Sequence, residues 1–115
     1  MLNKEQIRDN RRIFTESDKN MAHAFKVLGD LNRYRIFRVL AEQPKISVSD
    51  LALILNISLP LASQHLKTLT NANLLQKERI GKKIFPKLEK NNLFVQAIVK
   101  TVEKVVKITG KTKQK

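Results

Sequence analysis

The run Leu55-Asn56-Ile57-Ser58-Leu59-Pro60 constrains this chain more than any other stretch, because it ends one helix and starts another within a few residues. Asn tolerates the left-handed conformation that closes a helix, and Ser58 offers a side-chain oxygen to cap the next one. Pro60 fits a first helical turn, where its missing N–H has no partner to lose. Two helices joined this closely must turn sharply against one another. In the second of them Ala62, Leu66 and Leu69 make the inward stripe, which forces Leu59, Pro60, Ser63, Gln64 and Lys67 outward and His65 to the flank. The outward face is small and polar rather than charged, which suits contact with the edges of bases.

Signals on either side extend the pattern. Residues 1–16 carry Arg8, Arg11 and Arg12 beside Ile7, Ile13 and Phe14, and read as either a basic arm or a short additional helix. From Ser17, read as a cap, Met21, Ala24, Phe25 and Leu28 follow at i, i+3, i+4 and i+7, one apolar helical face, and Gly29 ends that helix. Asp30 caps the next segment, with Ile36, Phe37 and Leu40 on its buried side and Pro44 as its stop. Ser47 and Asp50 stand in the S-x-x-D relation of a capping box ahead of Leu51, Ile54 and Leu55, a helix of about two turns. Beyond the central pair of helices, Leu74 and Leu75 lead into Gln76 to Arg79, then Ile80-Gly81-Lys82, then Lys83 to Leu88, which reads as two strands around a glycine turn. Phe94, Val95, Ile98, Val99, Val102, Val105 and Val106 then line a helix from about Asn91 to Thr109, more apolar surface than a small domain usually hides on a terminal helix. Three Gly and three Pro in 115 residues favour helix. The expected fold is mainly α with a small β-hairpin, about five helices and a two-stranded wing. It forms one domain over residues 17–109, with a disordered basic tail at 110–115.

Charge narrows the partner. Lys and Arg number 23 against 10 Asp and Glu, a formal charge of +13, so an anionic polymer or surface is expected. No stretch approaches the ~18 to 20 consecutive apolar residues of a spanning helix, so no membrane partner is expected. The first 12 residues lack the apolar core of a signal peptide, which makes the cytoplasm, beside the nucleoid, the expected location. The chain has no cysteine, which removes disulfides, thiolate metal ligands and redox-sensing thiols.

Candidate site residues follow from these placements. Gln64 can pair with adenine and Lys67 with guanine or phosphate, with Ser63 between them, against the plainer reading of a solvated helix face. Ser58 is explained by capping, and a capping hydroxyl with nearby N–H groups can also hold a phosphate. Lys77, Arg79, Lys82 and Lys83, interrupted only by Glu78, read as a wing that touches the nucleic-acid backbone rather than as solubility charges. The basic ends fit DNA arms and solvated termini equally. His23 and His65 sit on separate helices without a neighbouring His or Cys, so packing or hydrogen bonding is favoured and no metal or cofactor is expected. Ser63 and His65, two apart on a helix, do not face each other, and no enzyme constellation emerges.

The run from Ala24 to Leu88 resembles the ArsR/SmtB family of bacterial and archaeal winged-helix repressors. The likeness rests on AFKVLGDLNRYRIFRVL (24–40), ISVSDLALILNISLPLASQHLKTLTNANLL (46–75) and RIGKKIF (79–85), with Ser58 through Leu69 its most specific piece. The resemblance implies a homodimer built from the first and last helices, placing Met21, Phe25, Phe94, Val95, Ile98, Val99, Val102, Val105 and Val106 at the interface. Recognition helices carrying Ser58, Leu59, Pro60, Ser63, Gln64, His65 and Lys67 would enter successive major grooves of double-stranded DNA about 10 bp apart on an imperfect palindrome. Three features depart from the family pattern. Leu31-Asn32-Arg33 stands where P-T-R is common, Pro86 where an aromatic is common, and Ser47-Val48-Ser49-Asp50-Leu51 where arsenic-sensing relatives carry C-V-C-D-L. Neutral hydroxyls are poor ligands for soft metals, and no His follows His65 to rebuild the zinc-type site of the last helix. The expected function is therefore a sequence-specific repressor that is not a thiolate metal sensor, its effector unassigned. The alternative is a sequence-tolerant DNA-packaging or protein-interaction module that keeps the fold.

Overall fold

A computed structural model describes residues 1–110. The elements are α1 (Lys4–Arg11), α2 (Asp18–Leu28), α3 (Leu31–Glu42), α4 (Val48–Leu55), α5 (Leu59–Asn71), β1 (Leu75–Ile80), β2 (Lys83–Leu88) and α6 (Leu93–Thr109). Six helices replace the expected five because residues 1–16 contain a helix rather than an extended arm. A reciprocal capping box starts it: Asn3 Oδ1 accepts from the Gln6 N–H at 2.8 Å, and Gln6 Oε1 accepts from the Asn3 N–H at 2.9 Å. No residue of α1 is buried. The expected disorder at residues 111–115 lies outside the described residues.

Local signals set most boundaries. Asp30 accepts from the Arg33 N–H at 3.1 Å to open α3, and the chain turns extended at Gln43, just ahead of Pro44. Ser17 precedes α2 but makes no side-chain cap; the neighbouring Asp18 carboxylate instead accepts from the Thr15 N–H at 3.0 Å, and the Ser17 hydroxyl pairs with Thr15 Oγ1. The acid one residue later captures the loop, leaving the serine without a helical donor. The buried face of α2 is also rotated from the expected stripe. Ala24 and Val27 enter the core, whereas Met21 and Phe25 are 40% and 55% exposed.

The core gathers one face of every element except α1. Ile36, Phe37 and Leu40 of α3 meet Leu51 of α4, Leu66 and Leu69 of α5, Leu74, Leu75 and Leu88 around the hairpin, and Val95 of α6. The strands pair antiparallel from Leu75 opposite Leu88 to Ile80 opposite Lys83, so Gly81 and Lys82 alone make the turn. Gly81 takes φ +64° at the first central position, matching the right-handed twist of the strands. Pro86, the departure in the second strand, is fully buried opposite Lys77, where the hairpin needs no N–H from it toward a third strand. α6 starts from Asn92, whose Oδ1 accepts from the Phe94 N–H at 2.8 Å, and buries only Val95 fully. The described chain extends 60 × 34 × 24 Å.

Candidate nucleic-acid interface

The helix–turn–helix is closed by the residues that its sequence suggested. Ser47 and Asp50 complete a capping box at the start of α4, each side chain accepting the other's backbone N–H, at 3.1 and 3.2 Å. These two bonds, with the charge of Lys83, hold the Asp50 carboxyl below the usual carboxylate range. At the other end Asn56 adopts φ 57°, ψ 49°, and the Ile57 N–H returns to the Ala52 carbonyl at 3.0 Å, so the helix ends in a left-handed cap. Ser58 Oγ then accepts from the Leu61 N–H at 3.2 Å and starts α5 with Pro60 in its first turn. Cap to cap, the reversal uses three residues.

This turn sets how α5 lies on the body. Ala62, Leu66 and Leu69 are buried, and Ser58, Leu59, Pro60, Ser63, Gln64 and Lys67 are all exposed. His65 is half-buried on the flank, with Nδ1 3.4 Å from Arg33 Nη1. The same guanidinium donates from Nε to the Val27 carbonyl at 2.7 Å, so Arg33 ties the end of α2 to the side of α5. Sequence reasoning missed this residue, since nothing local links positions 32 apart.

The wing cations do not form one patch. Paired residues in a hairpin share a face and successive residues alternate. Lys77 and Arg79, opposite Pro86 and Ile84, therefore lie on one face, while Lys83, opposite Ile80, lies on the other with Glu78 and Phe85, and Lys82 occupies the turn. Lys83 faces the start of α4, close enough to act on Asp50. Glu78 is answered by Lys87, a residue the sequence did not single out, at 2.7 Å; that bond and that charge lower the Glu78 carboxyl. Among the described residues the only ion pairs are this one and Arg12–Asp9. Lys67, Lys77, Arg79, Lys82 and Lys83 thus form no ion pair among the described residues, though the charge of Lys83 acts on Asp50.

The candidate partner-facing residues divide across α6. The Phe25 and Phe94 rings meet edge to face, centroids 5.0 Å apart at 80°, joining α2 to α6. Ile98 and Val105 continue from Phe94 along that edge at helical spacing. Val99, Val102 and Val106 line a groove toward Phe37 and Ala41 of α3. Val95 is a correction: at 2% exposure it belongs to the chain's own core and has no surface to offer a partner. Ile108, 65% exposed, and Leu93, 77% exposed, extend the free apolar surface beyond the expected set. Among the described residues no three His, Asp or Glu side chains gather as a metal site, and Ser47, 3% exposed, is committed to its cap.

Residues 30–77 match the family described as bacterial regulatory protein, arsR family. The cadmium resistance transcriptional regulatory protein CadC of Listeria innocua is 31% identical over 61 residues, 53% of this chain and 51% of that protein. A CadC homolog of Staphylococcus aureus is 31% identical over 74 residues, 64% of this chain and 61% of that protein. The chain thus spans between half and two thirds of the length of these relatives. HlyU from Vibrio cholerae N16961 superposes with a TM-score of 0.72 at 21% identity, over 80% of this chain and 97% of that one. The homodimeric winged helix-turn-helix domain of Mb0332 from Mycobacterium bovis gives 0.66 at 20% identity, over 89% and 97%. The match runs from the cap of α3 through the reversal at Asn56 into the first wing strand: residues 30–77 are similar to the arsR family of bacterial regulatory proteins, and the fold they belong to is the winged helix-turn-helix.

Proposed function

We propose that this protein is a transcriptional repressor that binds double-stranded DNA as a homodimer. The observation that carries the reading is the exposed face of α5, polar and small, together with five cations of α5 and the wing that form no ion pair among the described residues. Gln64 and Ser63 read base edges, Lys67 contacts guanine or phosphate, and the two faces of the wing grip the backbone beside them. Met21, Phe25, Phe94, Ile98 and Val105, with Val99, Val102 and Val106 behind them, supply the apolar surface for a second copy, an assembly that the Mb0332 domain is described as having. Twofold symmetry sets the half-sites about 10 bp apart. The cadmium link in the name of the CadC proteins is not carried over to this chain, because Ser47 serves α4 and the chain has no cysteine to offer a soft metal.

Fluorescence anisotropy against the promoter-proximal duplex of the protein's own gene and a scrambled duplex of equal length tests the reading. Salt-sensitive binding that prefers the native sequence by tenfold or more is expected. Equal affinity for both duplexes supports the sequence-tolerant packaging module instead, and no binding at low salt overturns both.

A further inference from the structure

An open cleft of about 1000 Å³ lies on the far side of α6 from Phe25, between α6, the end of α3 and the wing. Its floor is the edge of the core: Leu40, Leu88 and Val95, all buried. Its walls are Val99 of α6 and, from the wing, Phe85 and Ile80, the last left 55% exposed. Small-molecule sites are concave and mainly apolar with a few polar groups that fix orientation, in cavities of roughly 300 to 1,000 Å³. This one is at the large end and has its polar groups on the rim.

The rim has a sign. Lys45, Lys87, Lys90 and Lys100 stand around the opening against Glu78 and Glu103. Glu78 pairs with Lys87 at 2.7 Å and also lies within the field of Lys45, so among the described lining residues Lys90 and Lys100 are left with Glu103 as the one remaining acid. An apolar floor below unneutralised ammonium groups favours a molecule with a hydrocarbon body and one anionic end, since each part then meets its complement and no charge is buried unpaired. The N-terminal apolar residues Ile13 and Phe14 are poorer occupants, because they follow Arg11 and Arg12 and bring positive charge to a positive rim. A second copy fits the opposite edge of α6 better, where Phe25 and Val105 are exposed.

We propose that the cleft between the wing and α6 is a binding site for small apolar carboxylates, of the size of a medium-chain fatty acid. The body lies on Leu40, Val95 and Phe85, and the carboxylate meets Lys90 and Lys100. Three elements contribute to the site, so a bound molecule holds the wing against α6.

Decanoate, kept below its micellar range, is the probe, with decanol and decyltrimethylammonium as uncharged and cationic counterparts. No DNA is present, so the outcome is separate from that of the DNA-binding reading. The wild-type chain is expected to show a saturable rise in Tm with decanoate alone. Ala41→Trp places a single indole at the exposed lip of the cleft in a chain without tryptophan, and its emission is expected to shift on titration. Adding Lys90→Gln and Lys100→Gln, both exposed, should weaken decanoate tenfold or more without changing the circular dichroism spectrum. Equal response to decanol or to the cation, no saturable response, or indifference to the two lysine changes overturns the proposal. So does decanoate affinity that falls as the chain self-associates, which assigns the cleft to a second copy.

Discussion

Single residues decide where this chain turns, and the strongest case is Ser47. Its hydroxyl and the Asp50 carboxylate satisfy two otherwise orphaned N–H groups at the start of α4, one of them beside a side chain only 3% exposed. Ser47→Ala should cost about 1 kcal/mol, read as a Tm lower by about 4 °C. The Asp50 carboxyl is held below its ordinary value of 3.8 in the folded state, chiefly by the two bonds to Ser47. Its stabilisation is therefore complete above that value and is lost as pH falls through the lower folded one. The stability difference between wild type and Asp50→Asn should stay constant near neutrality and close in acid below pH 3.8, checked by urea unfolding at a series of pH values. On α5, Gln64→Ala should relax preference for the base it faces by about 1 to 3 kcal/mol of discrimination, whereas Lys83→Gln should weaken all duplexes alike and lower the salt slope by about 1. Caps such as Asp30, Ser47 and Ser58 were legible because donor and acceptor lie three residues apart. Ser17 misled because Asp18, one position on, competes for the same turn. The contact between Arg33 and His65 was not legible, since it depends on the whole packing of α2, α3 and α5.

At the scale of elements, the reversal between α4 and α5 rests on one left-handed residue. Asn56 at φ 57° is a conformation that costs an ordinary L-residue about 1 to 2 kcal/mol. Asn56→Ala should lower stability by that amount, and Asn56→Gly should restore most of it, measured by denaturant midpoint. A loss that Gly does not restore assigns the effect to the Asn side chain instead of to the backbone. The elements themselves were largely readable: the hairpin, α3 to α6 and the buried stripe of α5 all follow from period and punctuation. Faces were less so. The α2 stripe was read as Met21, Ala24, Phe25 and Leu28, yet the core takes Ala24 and Val27, and Phe25 instead meets Phe94 of α6. The wing was read as one basic cluster because its cations are close in sequence, but strand alternation sends Lys77 and Arg79 to one face and Lys83 to the other. α1 was left open although Asn3 and Gln6 already had the spacing of a capping box.

For the molecule as a whole, net charge indicated an anionic partner, and the cations lie on α1, α3, α5, the wing and α6 alike. The surface that would make the proposed dimer a two-site reader is the apolar edge running from Met21 and Phe25 to Val105 and Ile108. Hydrocarbon on this scale stays in water only at a cost of roughly 25 cal/mol per Å², and Val105 and Ile108 are 52% and 65% exposed on a helix that buries only Val95 fully. Because neither side chain supports the core of its own chain, Val105→Asp with Ile108→Asp should leave the circular dichroism spectrum and the unfolding midpoint nearly unchanged. Sedimentation velocity should then report a monomer where the wild type reports a dimer. A duplex with two half-sites should lose about 10² to 10⁴ in affinity, the gain that linking two binding modules provides. A duplex with a single half-site should be bound as by wild type, since α5 and the wing are untouched. Retention of the dimer by this variant would place the interface elsewhere, on the groove between α3 and α6 lined by Val99, Val102 and Val106, and Val102→Asp is the change that then separates the chains.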